Sequence, residues 1–309
     1  MNRAHLLLPA LLFWSVSAGA QSTAAGTDAA DTSQHKSLFV TANKIRLNYL
    51  DWGGSGDVLL LLPGQGDDAH IFDGFAEKFT DRYHVIGLTR RGFGNSDVPK
   101  SGYDTKTRVK DIRKFLDELK IKKAYIAGHS MAGSEMTEFA ANNWNQVEKL
   151  VYLDAANDQT CYAKTGPDPW VPPAQKRINL ELSSTKPTTQ IPIEGMPADR
   201  WEALKATNQA VDSYKPRYKK VTAPALAIYR QFERYDAPRN TPAEIRKAMD
   251  SWWMNNGYRC AIQSLEQFRT EMKKGRIAQI SQSYHYIFVD GPAQNEVVGL
   301  MRDFLARED

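Results

Sequence analysis

The stretch that most constrains the fold of this chain is Gly-His-Ser-Met-Ala-Gly, at residues 128–133. The apolar run directly before it predicts a buried strand, and the spacing from Ala132 to Asn142 predicts a helix. Small residues two positions before and two positions after Ser130 allow a tight turn between these elements. Such a turn presents the serine hydroxyl above the edge of a sheet. The sequence therefore predicts a strand, a sharp turn that carries Ser130, and a helix.

Buried strands alternate with helices along much of the chain. Continuous apolar runs are typical of strands covered on both faces of a parallel sheet, and they occur at residues 58–62, 84–88, 124–127, 150–153 and 225–229. We also predict an antiparallel pair of strands at residues 37–41 and 45–50, and a last strand at residues 286–289. Helical spacing is present at residues 105–119, 132–142, 242–254, 258–274 and 295–306. This alternation predicts an α/β fold with a mostly parallel central sheet flanked by helices.

An insertion interrupts the alternation after the strand at residues 150–153. Residues 157–220 are rich in proline and lack a clear period, apart from two short helical segments near 173–182 and 197–211. We therefore assign residues 37–156 and 221–309 to one core domain and residues 157–220 to a cap inserted into it.

The N-terminus has the layout of a secretory signal peptide, with Arg3, an apolar segment at residues 6–16 and small residues that end at Ala20. We predict that residues 1–20 are cleaved off after Ala20 and that the protein is exported, to the periplasm or the medium. Residues 21–36 lack periodicity and predict a flexible leader. The apolar segment has about 11 residues, whereas a membrane-spanning helix needs about 20, so we expect no stable membrane insertion.

Composition argues against a nucleic-acid partner. The chain has 40 basic and 36 acidic residues, for a formal net charge of +4, and its Lys and Arg form no dense block. In an exported protein, Cys161 and Cys260 could form a disulfide or remain as two free thiols, and the sequence leaves both states open. A bond would join the start of the cap to the segment before the last predicted strand. No Cys and His residues have the spacing of metal ligands, so no metal site is predicted.

Ser130 needs a base, because a serine hydroxyl alone is a poor nucleophile. With a serine turn of this kind, the expected order along the chain is serine, acid, histidine. His285 fits that order, since it lies just before the last predicted strand, and Pro292 follows at the start of the final helix. His70 precedes the serine and does not fit. We therefore predict that His285 accepts the proton of Ser130.

Competing carboxylates could orient His285. Asp154 ends the strand after the serine helix, at the sheet edge where sites form in open α/β sheets. Glu233 follows the next strand, which is the commoner location, but two arginines flank it and an exposed ion pair explains the same pattern. Asp236 is a third candidate. We take Asp154 as the predicted acid and Glu233 as the alternative.

Two backbone N–H groups are predicted to bind the negative oxygen that develops during acyl transfer. One belongs to Met131, directly after the serine, and the other to Gln65, in a Pro-Gly-Gln-Gly loop after the first buried strand. The glycines of this loop could also indicate a phosphate site. That interpretation is disfavoured, because no Gly-Lys-Ser/Thr sequence follows and two aspartates do.

These motifs together resemble the α/β-hydrolase superfamily over residues 45–306. The resemblance depends on four landmarks: the loop at residues 63–65, the loop at residues 91–96, the turn at residues 128–133, and His285 followed by Pro292. It implies that Ser130 is the nucleophile, His285 the base, and Gln65 and Met131 the oxyanion donors, and that no cofactor is needed. One later loop lacks the Gly and Asp that are usual in the family, which leaves the acid open. The serine disfavours relatives that use an aspartate nucleophile, such as haloalkane dehalogenases and epoxide hydrolases.

We therefore expect an exported serine hydrolase that cleaves a small or medium carboxylic ester or lactone through an acyl-enzyme. Trp170 is a candidate for lining the substrate pocket, whereas Arg90 and Arg91 are interpreted as structural residues of the loop that they begin. The fold alone does not fix the chemistry. Carbon–carbon bond hydrolysis, perhydrolysis and acyl transfer remain alternatives, as does a catalytically silent ligand-binding module.

Overall fold

The computed structural model describes residues 34–162, 196–232, 243–280, 285–289 and 291–307. Its central sheet contains the strands β1 (Lys36–Ala42), β2 (Ile45–Gly53), β3 (Val58–Leu62), β4 (His84–Leu88), β5 (Ala124–His129), β6 (Val147–Leu153), β7 (Ala225–Tyr229) and β8 (Gly275–Gln279). Their spatial order is β1-β2-β4-β3-β5-β6-β7-β8. The pairs β1–β2 and β2–β4 are antiparallel, and every other neighbouring pair is parallel. This confirms the predicted α/β fold with a mostly parallel central sheet.

Helices cover both faces of the sheet. They are α1 (Asp73–Ala76), α2 (Thr105–Glu118), α3 (Ala132–Asn142), α4 (Gln159–Tyr162), α5 (Ala198–Asp212), α6 (Ala243–Trp252), α7 (Tyr258–Glu271) and α8 (Gly291–Ala306). Short 3-10 helices occur at Ala69–Phe72, Glu77–Phe79, Trp144–Gln146 and Tyr218–Lys220, and a π-helical turn at Trp253–Gly257. One core contains Phe115 of α2 and Phe139 of α3, and the other contains Phe75 of α1 and Phe304 of α8.

The buried strands form where continuous apolar runs predict them. β3, β4 and β7 have the predicted bounds, and β5 continues two residues further, to His129. β6 begins at Val147 instead of residue 150. The difference arises because Lys149 interrupts the apolar run in the sequence. Its side chain is nevertheless buried, since its ammonium group donates to the carbonyl oxygen of Phe304 at 3.0 Å.

The predicted last strand at residues 286–289 is wrong. Within the described residues the last strand is β8, and residues 285–289 form turns and bends after it. Ile287 and Phe288 are fully buried in the core, so their apolar pattern reflects packing and not strand pairing. β8 escapes sequence analysis because its sequence, Gly-Arg-Ile-Ala-Gln, is that of a partly exposed edge strand. His285 therefore follows the last strand instead of preceding it.

Several predicted segments lie outside the described residues: the signal peptide at residues 1–20, residues 21–33 of the leader, and the cap helix near 173–182. The other predicted cap helix is α5, which begins at Ala198. The sulfurs of Cys161 on α4 and Cys260 on α7 are joined in a disulfide, the first of the two states that the sequence left open. Within the described ranges, no helix is long and apolar enough to cross a membrane.

Candidate active site

Ser130 lies on the turn between β5 and α3. Its φ angle of +53° is in the left-handed region, which costs a non-glycine residue about 1 to 3 kcal/mol. The small residues around it are needed for space. A Cβ atom at Gly133 would collide with the carbonyl oxygen of Ala155, and one at Gly128 would collide with the sulfur of Met136. The sequence pattern is therefore explained by the close approach of α3 to the strand ends.

Three predicted site residues meet at the carboxyl edge of the sheet. Nε2 of His285 lies 2.9 Å from Oγ of Ser130, and Nδ1 of His285 lies 2.7 Å from Oδ2 of Asp154. The side chain of Asp154 is almost fully buried, whereas about a third of the His285 side chain is exposed. Both distances are in the hydrogen-bond range. In this arrangement a carboxylate can orient the imidazole, and the imidazole can accept the serine proton.

Asp154 reaches the imidazole from the residue directly after β6. Its φ angle is +45°, and its N–H donates to the carbonyl oxygen of Ile228 on β7 at 2.8 Å. Arg230, the first residue after β7, contacts the same carboxylate: its backbone N–H donates to Oδ1 at 3.4 Å, and its Nε lies 3.3 Å from Oδ2. The carboxylate is thus held by contacts from two loops. Glu233 and Asp236, the other candidate acids, lie outside the described residues.

The loop after β3 carries Gln65, which lines the same pocket as Met131 and the serine. Arg90 is buried and fixes this loop, because its guanidinium donates to the carbonyl oxygens of residues 63 and 64, both at 2.6 Å. The same guanidinium makes two hydrogen bonds to the carboxylate of Glu135 on α3, at 3.0 and 3.1 Å. Arg90 therefore ties the loop that carries Gln65 to the helix that follows Met131.

Other buried charged residues lie near the contacts between Arg90 and Glu135. Arg91 makes two hydrogen bonds to Asp111 on α2, at 2.6 and 2.8 Å. Nε of Arg108 lies 3.0 Å from the carboxylate of Glu135. Burial lowers the pKa of the Arg108 guanidinium to about 10. The contacts of Arg90 and Arg91 agree with the structural roles predicted for them.

A buried polar cluster, which the sequence did not predict, lies beside the serine. Burial lowers the pKa of the His129 imidazole well below its usual value, so this side chain is neutral. Its Nε2 donates to the backbone oxygen of His285 at 3.1 Å, and its Nδ1 lies 4.0 Å from Oδ2 of Asp67. Burial also raises the pKa of the Asp67 carboxyl to about 6, although the Tyr286 hydroxyl donates to it. The only signal in the sequence was the position of His129 within the serine turn.

A cavity of about 430 Å³ opens at the serine. Tyr162, Phe232 and Trp253 contribute aromatic surface, and Arg230 and Asp212 contribute charged groups. The guanidinium of Arg230 lies 4.8 Å from the centroid of the Trp253 ring, within the range of a cation–π contact. The other lining residues are mostly polar: Gln65, Ser130, Met131, Asp154, Asn157, Gln159, Val211 and His285. The arrangement can accommodate a small ligand with polar groups.

The disulfide anchors one wall of this cavity. Cys161 lies on α4 between the lining residues Gln159 and Tyr162, and the bond joins it to Cys260 on α7. A helix as short as α4 is not stable by itself, so the covalent link fixes a segment that would otherwise be weakly held. Trp170, the predicted pocket residue, lies outside the described residues.

Comparison with known proteins agrees with this geometry. Residues 57–181 match the model of a family described as the alpha/beta hydrolase fold. The crystal structure of an E-2-(acetamidomethylene)succinate hydrolase superposes with a TM-score of 0.61, at 19% identity, over 89% of this chain and 100% of that one. The chain therefore has the α/β-hydrolase fold.

Curated relatives match over different lengths. A soluble epoxide hydrolase of Corynebacterium sp. (strain C12) is 32% identical over 112 residues, which are 36% of this chain and 39% of that enzyme. A 2-hydroxy-6-oxononadienedioate/2-hydroxy-6-oxononatrienedioate hydrolase of Paraburkholderia phymatum is 25% identical over 240 residues, 69% of this chain and 83% of that enzyme. The chain spans only 30 to 39% of the length of the first curated relatives it matches, which are 32% identical to it over that part.

Proposed function

We propose that this chain is an exported serine hydrolase that cleaves a small or medium carboxylic ester or lactone through an acyl-enzyme. One observation carries the proposal: Ser130, His285 and Asp154 form a hydrogen-bonded series, with 2.9 Å and 2.7 Å between neighbours. The match of residues 57–181 to the α/β-hydrolase family model supports hydrolysis, because this arrangement is the catalytic triad of many members of that family. The signal-peptide pattern before residue 21 supports export.

The first half of the proposed reaction acylates the serine. Nε2 of His285 accepts the hydroxyl proton of Ser130 while Oγ forms a bond to the carbonyl carbon of the substrate. Asp154 stabilises the imidazolium that results, and the N–H groups of Gln65 and Met131 donate to the oxyanion of the tetrahedral intermediate. The bond from carbon to the leaving oxygen then breaks, and His285 gives its proton to that oxygen. The acyl group remains on Oγ.

The second half releases the acyl group with water. Nε2 of His285 accepts a proton from a water molecule as the water oxygen bonds to the acyl carbon, and the same two N–H groups donate to the oxyanion. The bond from the acyl carbon to Oγ of Ser130 breaks, and the imidazolium returns its proton to Oγ. A carboxylic acid leaves, and the enzyme is regenerated with no cofactor.

Size and polarity of the cavity indicate the class of substrate. A volume of about 430 Å³ is near the lower end of the range of small-molecule sites, about 300 to 1,000 Å³. Asn157, Gln159, Asp212 and Arg230 supply polar groups around it. We infer that the substrate is small and carries polar groups beside the scissile carbonyl, and that long-chain esters are poor substrates.

Residues 157–220 are proposed to act as the cap of this site. α4 contributes Gln159 and Tyr162 to the cavity, and the end of α5 contributes Val211 and Asp212. All four residues belong to the segment that interrupts the core. Substrate specificity is therefore proposed to depend on the cap more than on the sheet.

A second candidate activity is hydrolysis of a carbon–carbon bond in an anionic substrate. The observation that favours it is the match to a hydrolase named for two dioate substrates over 83% of its length, together with the guanidinium of Arg230 at the cavity. The epoxide hydrolase relative is a weaker guide to chemistry, since Ser130 occupies the turn where such enzymes use an aspartate.

The test compares single-site variants on a panel of short-chain aryl esters, lactones and vinylogous diketones. Ser130→Ala is expected to lower ester or lactone turnover by at least about 10⁴-fold, and Asp154→Asn by about 10²- to 10⁴-fold. Ser101→Ala, at an exposed surface serine, is the matched control and should retain activity. Wild-type turnover in Ser130→Ala would contradict the proposal, and diketone cleavage without ester cleavage would favour the second candidate.

The choice of acid has a separate comparison. Glu233→Gln is expected to retain more activity than Asp154→Asn, because Asp154 already lies 2.7 Å from the imidazole. If both variants retained full activity, the assignment of the third triad member would be wrong, whatever the result for Ser130.

A further inference from the structure

Three side chains of metal-binding type converge beside the start of β1. His35 directly precedes that strand, His70 lies in the 3-10 helix Ala69–Phe72, and Asp73 begins α1. One donor atom from each residue lies within 4.8 Å of the other two, and this is the only such group of His, Cys, Asp and Glu in the part of the chain that the structure describes. The spacing of residues in the sequence did not predict it, because His35 is far from the other two along the chain.

Distances within the trio are close to those of a coordination shell. Nδ1 of His35 lies 3.4 Å from Oδ1 of Asp73, and Nδ1 of His70 lies 2.9 Å from Oδ2 of the same carboxylate. Zinc bonds of about 2.0 to 2.1 Å in tetrahedral geometry put neighbouring donor atoms about 3.3 Å apart. The carboxylate is therefore already flanked by two imidazole nitrogens at suitable separations. The side chain of His70 is 41% exposed, so its ring has room to rotate toward a bound ion.

Neighbouring residues contact all three members of the trio. The indole N–H of Trp52 on β2 donates to Oδ1 of Asp73 at 3.2 Å, which is the kind of outer hydrogen bond that orients a metal-binding carboxylate. The His35 side chain is only 10% exposed, and its ring lies 6.0 Å from that of Trp52. Asp68 accepts a hydrogen bond from the backbone N–H of His70 at 3.0 Å, which fixes the start of the 3-10 helix.

We propose that His35, His70 and Asp73 bind a divalent transition metal ion, with Zn²⁺ as the first candidate. Two imidazoles and one carboxylate suit zinc and the neighbouring divalent ions, and a water molecule would complete the tetrahedron on the exposed side. The ion would tie the segment before β1 to the helix that follows the Gln65 loop. Its role is structural, and the proposal does not depend on the proposed hydrolase activity.

The test is isothermal titration of ZnCl₂ into the full-length mature protein, after treatment with EDTA and dialysis, with metal content checked by elemental analysis. One ion per chain is expected, with a dissociation constant in the micromolar range. His35→Ala, His70→Ala and Asp73→Asn should each weaken binding by at least about tenfold. Trp52→Phe removes the outer hydrogen bond and should weaken it by about tenfold. Circular dichroism of each variant verifies that it is folded.

Two controls locate the ion. His84→Ala removes an imidazole whose Nε2 lies 2.9 Å from a carboxylate oxygen of Asp51. This pair has the same kind of contact as the trio, but within the described residues it has no third donor atom nearby. His285→Ala removes the imidazole of the proposed triad. Both variants should bind Zn²⁺ as the wild type does. Absence of binding to the wild type, or unchanged binding in the folded His70→Ala and Asp73→Asn variants, would overturn the proposal.

Discussion

Substitution of Asp67 by Asn is expected to stabilise the protein at neutral pH and to have little effect near pH 4. Burial raises the pKa of the Asp67 carboxyl from 3.8 to about 6, against the opposing influence of the Tyr286 hydroxyl and the Arg90 guanidinium. Because the folded-state pKa is raised, the folded protein binds more protons than the unfolded chain between about pH 4 and pH 6. The contribution of Asp67 to the free energy of unfolding therefore decreases as the pH rises through this range.

The magnitude follows from the size of the shift. A change from 3.8 to about 6 is about 2 pKa units, which corresponds to roughly 3 kcal/mol at about 1.4 kcal/mol per unit. Asn has nearly the same shape as the protonated carboxyl and does not ionise. The variant should match the wild type within about 1 kcal/mol at pH 4 and exceed it by about 2 to 3 kcal/mol at pH 7.5.

Urea unfolding followed by tryptophan fluorescence at pH 4 and pH 7.5 measures both differences. Asp57→Asn is the matched control, because Asp57 is exposed and its removal should change stability by less than about 0.5 kcal/mol at either pH. Taking the difference in unfolding free energy between the variant and the wild type at each pH cancels the contributions of other groups that titrate in the same range. An Asp67→Asn effect that is the same at both pH values, or a loss of stability at pH 7.5, would refute the assignment of a buried, proton-binding carboxyl.

Two further predictions concern residues that hold the walls of the active site in place. Arg90→Met removes the contacts between the Gln65 loop and Glu135 and leaves a buried carboxylate with one partner fewer, so we expect the free energy of unfolding to fall by about 3 to 5 kcal/mol and kcat/KM to fall at least about 100-fold. Urea unfolding and ester kinetics measure these two effects. Unchanged kinetics in folded protein would contradict the proposed role of Arg90. Replacement of both Cys161 and Cys260 by Ser opens a covalent link across a sequence separation of 99. This double variant should lose about 2 to 5 kcal/mol and should raise KM more than it lowers kcat, and equal stability in reducing and oxidising buffer for the wild type would argue against the bond.

The parts of the site that sequence analysis predicted are those with local or topological signals. Ser130 is predictable because the small residues around it are a direct consequence of the turn, where a side chain at Gly133 would collide with Ala155. His285 is predictable from chain order, even though the strand expected after it does not exist and β8 lies before it. The position of His285 near Ser130 depends on the order of the strands in the sheet, and the wrong prediction of the last strand does not change that order.

Other features depend on contacts between distant segments, and no local pattern reveals them. The sequence predicted Asp154 as the acid but left Glu233 as an alternative, because either strand end could reach the imidazole. The contact of Arg230 with Asp154 requires the pairing of β6 with β7. The cluster of His129, Asp67 and Tyr286 arises for the same reason, since His129 ends β5 and the other two residues lie in the loops after β3 and β8.

Ser130 is proposed to be a nucleophile that His285 activates. The most direct measurement is labelling of the folded protein with a fluorophosphonate probe, followed by intact-protein and peptide mass spectrometry. We predict one adduct per chain, located on Ser130, and a much lower labelling rate in His285→Ala. Absence of labelling in folded protein, or an adduct on another residue, would contradict the assignment of Ser130 as the nucleophile.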